Sequence, residues 1–203
     1  MNRALSVFAA GVLALPATLP GPAPVPAPAP GGERPAGGGS ATLVEGVHIV
    51  VAERRFPAEG RVPEGVVAAV EAQRLAGDAR GAVHGLTRFD LSRRWQLQAG
   101  GGHCTFRGVE IAVSLTIELP SWTSQRDAAT VHRRWWEGYI ADLTAHEYAH
   151  RDVVIEAAGQ LYQDLRFLRA ATCQRLTHRA QRVVHRAREA MEVRHAAIDG
   201  ATR

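Results

Sequence analysis

Two periodicities divide the chain. From Val47 to Leu119 apolar positions recur mostly every second residue, and after Pro120 they recur every third or fourth. The clearest alternation is 109–119. Val109, Ile111, Val113, Leu115, Ile117 and Leu119 are apolar, while the residues between them, from Glu110 to Glu118, are mostly polar. This predicts a strand with one buried and one wet face. Segments 47–53, 86–98 and 103–107 are its expected partners, with Gly100-Gly101-Gly102 turning between the last two. Pro63 opens an expected short helix over 63–74. Beyond Pro120, Trp135, Tyr139, Leu143, His146, His150, Val153, Ala157, Leu161, Asp164 and Leu168 fall on one helical stripe. A single helix over 127–171 would be about 65 Å long, more than a domain of this size accommodates, so a break is expected at Gly138. A second helix is expected over about 174–198. Strands followed by helices predict an α+β fold: a small antiparallel sheet with one short helix, then a long helix and a C-terminal helix forming an antiparallel hairpin.

The N-terminal stretch follows neither period. Arg3 precedes an apolar run from Ala4 to Leu15, which Pro16 ends. This is the pattern of an export signal, too short for a membrane span, and residues 1–17 are read as one. Residues 18–40, rich in proline and glycine, read as an extended linker. The folded domain is expected over 41–203, secreted or periplasmic, with no membrane span once the signal is removed.

Composition narrows the chemistry. All 24 basic residues are arginine, which excludes a lysine Schiff base and a phosphate-loop lysine. Two cysteines are too few for a four-cysteine zinc site. The net charge of +4 and the stripe of Arg175, Arg179, Arg182 and Arg186 come without interleaved aromatic residues. They read as a solvated face, and no nucleic-acid partner is expected.

His146-Glu147-Tyr148-Ala149-His150 is an H-E-x-x-H pentapeptide inside the helical stripe. Residues i and i+4 share a helix face, so both imidazoles can reach one Zn²⁺ ion, and Glu147 can serve as general base toward water without ligating. The third ligand must come from elsewhere, because Asp164 lies about 21 Å along the helix and Glu156 is rotated away. If the two helices turn near Thr172, the levels of His150 and His146 on the second helix are 194 and 198. His195 and Asp199 sit at those heights, and both are third-ligand candidates. Glu147-x-x-His150 and Glu192-x-x-His195 also repeat the pattern of carboxylate-bridged di-metal bundles, but that reading requires two further long helices.

His146-Glu-Tyr-Ala-His-Arg-Asp152, preceded by Gly-Leu-Thr-Arg-Phe-Asp-Leu at 85–91, Cys104 and Ile117-Glu-Leu-Pro-Ser-Trp122, resembles a bacterial family of predicted secreted zinc-dependent proteases, long catalogued as a domain of unknown function. The resemblance runs from about residue 47 to the end. It implies a zincin-like metallopeptidase with Zn²⁺ as cofactor, a peptide or protein substrate, and Asp199 rather than His195 as third ligand. Ile198 stands where the family carries tyrosine, and the sequence ends at Arg203, before the family's His-Gly. A non-catalytic secreted binding protein with a structural metal site is therefore the alternative expectation. By analogy to zincins, strand 109–119 is expected to present an exposed edge to an extended substrate. Cys104, after the glycine turn, and Cys173, at the helix hairpin, fit a disulfide tying sheet to helices in an exported protein. Two unpaired buried thiols are the alternative.

Overall fold

The computed structural model describes residues 39–75 and 84–201. The proposed signal and nearly all of the linker lie outside them. The element order is β1 (Gly39–Val44), β2 (Val47–Ala58), α1 (Pro63–Leu75), β3 (Leu86–Gly100), β4 (His103–Trp122), a 3-10 turn (Gln125–Asp127), α2 (Thr130–Arg166), β5 (Arg169–Ala170) and α3 (Cys173–Ala201). The fold is α+β, as expected. Strand 109–119 extends into a 20-residue β4, and the glycine turn joins β3 to β4 with Gly101 and Gly102 at φ 58° and 75°, values that favour glycine. A bulge near Gly108, opposite Trp95, separates the expected segments 103–107 and 109–119.

The sheet is mixed rather than antiparallel. Its order is β1-β2-β4-β3, with β2 parallel to β4 and the other pairs antiparallel. The parallel pair arises because the chain leaves β2, passes through α1 and β3, and returns as β4. Strand β4 is consequently interior, bonded to β2 along one side and β3 along the other, so the expectation that 109–119 offers a free edge is corrected. Among the described residues the edge strands of the main order are β1 and β3.

The odd-numbered apolar side chains of β4 all face inward, as the alternation predicts. Val109, Ile111, Val113 and Leu115, with Val47 and Ile49, pack with Val154, Ala158, Leu161 and Leu165 of α2 and Leu176, Ala180 and Val183 of α3. A smaller cluster joins Ala58, Val66, Val70, Trp122 and Trp136. The helices cover this face, while alternate residues such as Val50, Ala112 and Ser114 on the other face are exposed.

Helix α2 runs unbroken through Gly138 for 37 residues, about 55 Å. The expected break does not occur because the long β3–β4 hairpin supports a helix of that length. Trp135, Trp136 and Tyr139 also pack on the smaller cluster on both sides of the glycine. An exposed glycine in a helix interior costs about 1 kcal/mol, less than that packing supplies.

Cys104 and Cys173 form a disulfide between β4 and the first residue of α3, 69 residues apart in sequence. Beside it, β5 pairs with Cys104 and Thr105. The bridge fits an oxidising compartment. No described helix is long and apolar enough to cross a membrane.

The double variant Cys104→Ser/Cys173→Ser should lose about 4 kcal/mol of stability on the chain-entropy account. The denaturant midpoint measures this, and a midpoint equal to that of the native chain would contradict a structural role for the bridge.

Candidate metal centre

Helix α2 crosses the sheet in a fixed rotational setting. Val153, Val154, Leu161 and Leu165 face the core. On the neighbouring flank, the Tyr148 hydroxyl donates to Glu53 Oε2 of β2 at 2.9 Å, and the Arg151 guanidinium lies 4.1 Å above the Tyr148 ring. This turns His146 and His150 toward α3. Helix α3 returns antiparallel with Leu176, Ala180, Val183, Met191 and His195 on its buried stripe. Arg194 pairs with Glu156 at 2.6 Å across the helix pair. The level expected for the third ligand is met, with residues 195 and 199 lying beside 150 and 146.

The two third-ligand candidates take different places. His146, His150 and Asp199 converge so that one ligand atom from each lies within 4.8 Å of the others. Nε2 of His150 is 3.1 Å from Nε2 of His146 and 3.1 Å from Asp199 Oδ1, and His146 Nε2 is 3.5 Å from the same oxygen. Donor atoms about 2.0–2.2 Å from a tetrahedral zinc ion stand about 3.3–3.5 Å apart, so the three fit one ion. His195 sits behind the cluster, its Nδ1 2.9 Å from Nδ1 of His150. It contacts His150 through the ring nitrogen that does not face Asp199. Were Nε2 of His150 to hold an ion, its Nδ1 would carry the proton and donate to His195 Nδ1, fixing tautomer and ring plane. Phe89 of β3 stacks on the His195 ring with centroids 6.0 Å apart.

Glu147 is 1% exposed. The Thr87 hydroxyl lies 2.8 Å from Glu147 Oε2, to which it donates, and 3.1 Å from the Glu147 carbonyl oxygen. Gly85 lies against the same carboxyl group, where a Cβ would stand 2.7 Å from Oε1 and 2.9 Å from Cγ. Thr87 and Phe89 lie on one face of the incoming edge strand, and Gly85 immediately precedes it. The sequence places 86–98 on a strand, but nothing in a period of two says that Thr87 meets Glu147.

Electrostatics favour neutral, ligating imidazoles. Burial and the neighbouring His146 hold His150 well below the usual histidine range, against the opposing pull of Asp199. Burial lowers His146 as well. His195 is pushed down to about 4 by burial, then by His150 and Arg194. Glu192, the acid of the second E-x-x-H, is instead exposed and paired with Arg188 at 3.4 Å, outside the cluster. The four arginines of the α3 stripe face solvent.

These features define an α+β protein with a histidine–aspartate group that could hold a metal ion and a buried glutamate next in sequence to one of its histidines. Over residues 53–203 the chain matches the family described as "Bacterial protein of unknown function (DUF922)", and it belongs to that family. No curated protein and no solved structure matches it.

Because His150 and His195 bind protons less readily folded than unfolded, the metal-free protein should lose stability as pH falls from about 6.5 toward about 4. In that window the unfolded chain holds the additional protons. Denaturant midpoints in chelator at about pH 7 and about pH 5 measure the slope, and a midpoint that rises on acidification would contradict it.

Proposed function

We propose that this is an exported zinc-dependent metallopeptidase. The observation that carries the reading is the convergence of His146, His150 and Asp199 at zinc-ligand spacing, with the buried Glu147 next in sequence to His146. Two imidazoles and one carboxylate leave a fourth position open, the composition of a catalytic rather than a closed structural site. Zinc held there would supply Lewis-acid activation of water and polarisation of the scissile carbonyl. Glu147 takes the proton from the attacking water and delivers it to the leaving amine. The outer edge of β3, unpaired among the described residues and beginning near Glu147, is where an extended peptide adds as a further strand. That edge replaces 109–119 in the account of substrate binding. Export is supported by the signal-like N-terminus and the disulfide.

The second reading, a secreted binding protein with a structural metal, is motivated by the departure at Ile198 and by the shallow exposure of the cluster, where the His150 side chain is 1% and that of Asp199 13% exposed.

Glu147→Gln separates the two. The peptidase should retain its zinc and lose at least about 100-fold in cleavage of quenched fluorescent peptides, the low end of what general-base removal costs. Zinc retained with cleavage unchanged, or no cleavage by the native zinc-loaded chain, would contradict the catalytic reading.

A further inference from the structure

Resting on that reading of the site, we infer that the inward face of β3 is its positioning layer, with Thr87 orienting the Glu147 carboxylate and Phe89, through His195, orienting the His150 ring. Three observations carry this. Thr87 is a polar side chain only 4% exposed, and both of its contacts with α2, at 2.8 and 3.1 Å, go to Glu147. A buried hydroxyl bound to one carboxylate oxygen fixes both torsion and lone-pair direction of that group, and hydrogen bonds to charged groups are the stronger kind. Gly85, just before the strand, lacks a side chain where any Cβ would collide with Glu147, so the backbone approaches the carboxylate closely. Two residues beyond Thr87, Phe89 stacks on His195, whose Nδ1 lies 2.9 Å from His150 Nδ1. Successive inward positions of one strand thus meet the base and the support of a ligand in turn.

The inference gives the Gly85-Leu-Thr-Arg-Phe segment a role that strand periodicity alone does not explain. Because β3 is also the sheet edge beside the site, a peptide pairing with it would lie along the strand that positions the base. Thr87 is a positioning residue, acting through Glu147 rather than on substrate.

The test is two pairs of variants, one pair at Thr87 and one at His195 and Phe89, with opposite signatures. Thr87→Val keeps the shape and removes the hydroxyl. It should bind zinc with native affinity, measured by competition with a chromophoric chelator, while kcat on the best-cleaved quenched fluorescent peptide falls about 10–100-fold with little change in KM. Thr87→Ser should restore kcat, which a purely packing role would not do. His195→Gln should do the reverse to the metal, weakening zinc about 10–100-fold, and Phe89→Leu should weaken it in the same direction by less. Native kcat in Thr87→Val would overturn the role of Thr87, as would failure of Thr87→Ser to recover activity. Native zinc affinity in His195→Gln would overturn the role of His195, and complete loss of zinc would make it a ligand instead. If the native zinc-loaded chain cleaves no peptide, the peptidase reading fails and the Thr87 arm fails with it. The zinc arm still decides whether His195 supports His150.

Discussion

The site exists only because two antiparallel helices are held in one register. His146 and His150 are fixed relative to each other by a single helical turn, but Asp199 reaches them from 49 residues beyond His150, across the α2–α3 hairpin. Displacing α3 by one residue would rotate its side chains by about 100° and carry the carboxylate away from both imidazoles. The hairpin is anchored at its turn, where the disulfide and the short β5 fasten the chain between the helices to β4. From that anchor Leu161 and Leu165 on α2 and Leu176 and Ala180 on α3, members of one core cluster, carry the register up to His146, His150 and Asp199.

The sheet contributes length and a second set of constraints. A 37-residue helix needs a platform, and the β3–β4 hairpin provides one whose inward face is mostly apolar, with the half-buried Arg93 of β3 an exception away from the site. Near the site the inward positions turn polar or small, with Thr87 and Gly85 against Glu147. Burying a carboxylate and several imidazoles is costly unless each has a partner. Thr87 meets Glu147, His195 meets His150, and Asp199 meets both ligand histidines, so the polar groups support one another inside an otherwise hydrophobic layer.

How much of this could be read from the sequence depended on how local each feature is. The H-E-x-x-H pair is local, and its helix follows from the stripe around it. The inward face of β4 follows from strict alternation. Counting back from the turn placed His195 and Asp199 at the right heights. It did not choose between them, because that choice depends on how α3 is rotated about its own axis against α2. Alternation reports which face of a strand is buried but not which strand lies at the edge, so β4 was misplaced there and β3 overlooked. Length alone predicts a break at Gly138, because a rounder domain could not hold a 37-residue helix, whereas the long β3–β4 hairpin can. Thr87 looks like any small β-branched inward residue until α2 is laid across it.

The central claim is that His146, His150 and Asp199 grip one zinc ion. The direct measurement is metal content by elemental analysis of protein purified without added metal, comparing the native chain with His150→Ala and Asp199→Ala. The account predicts one zinc per native chain and little or none in either variant, with the disulfide and helical content preserved. Zinc absent from the native chain, or bound equally by all three proteins, would contradict it.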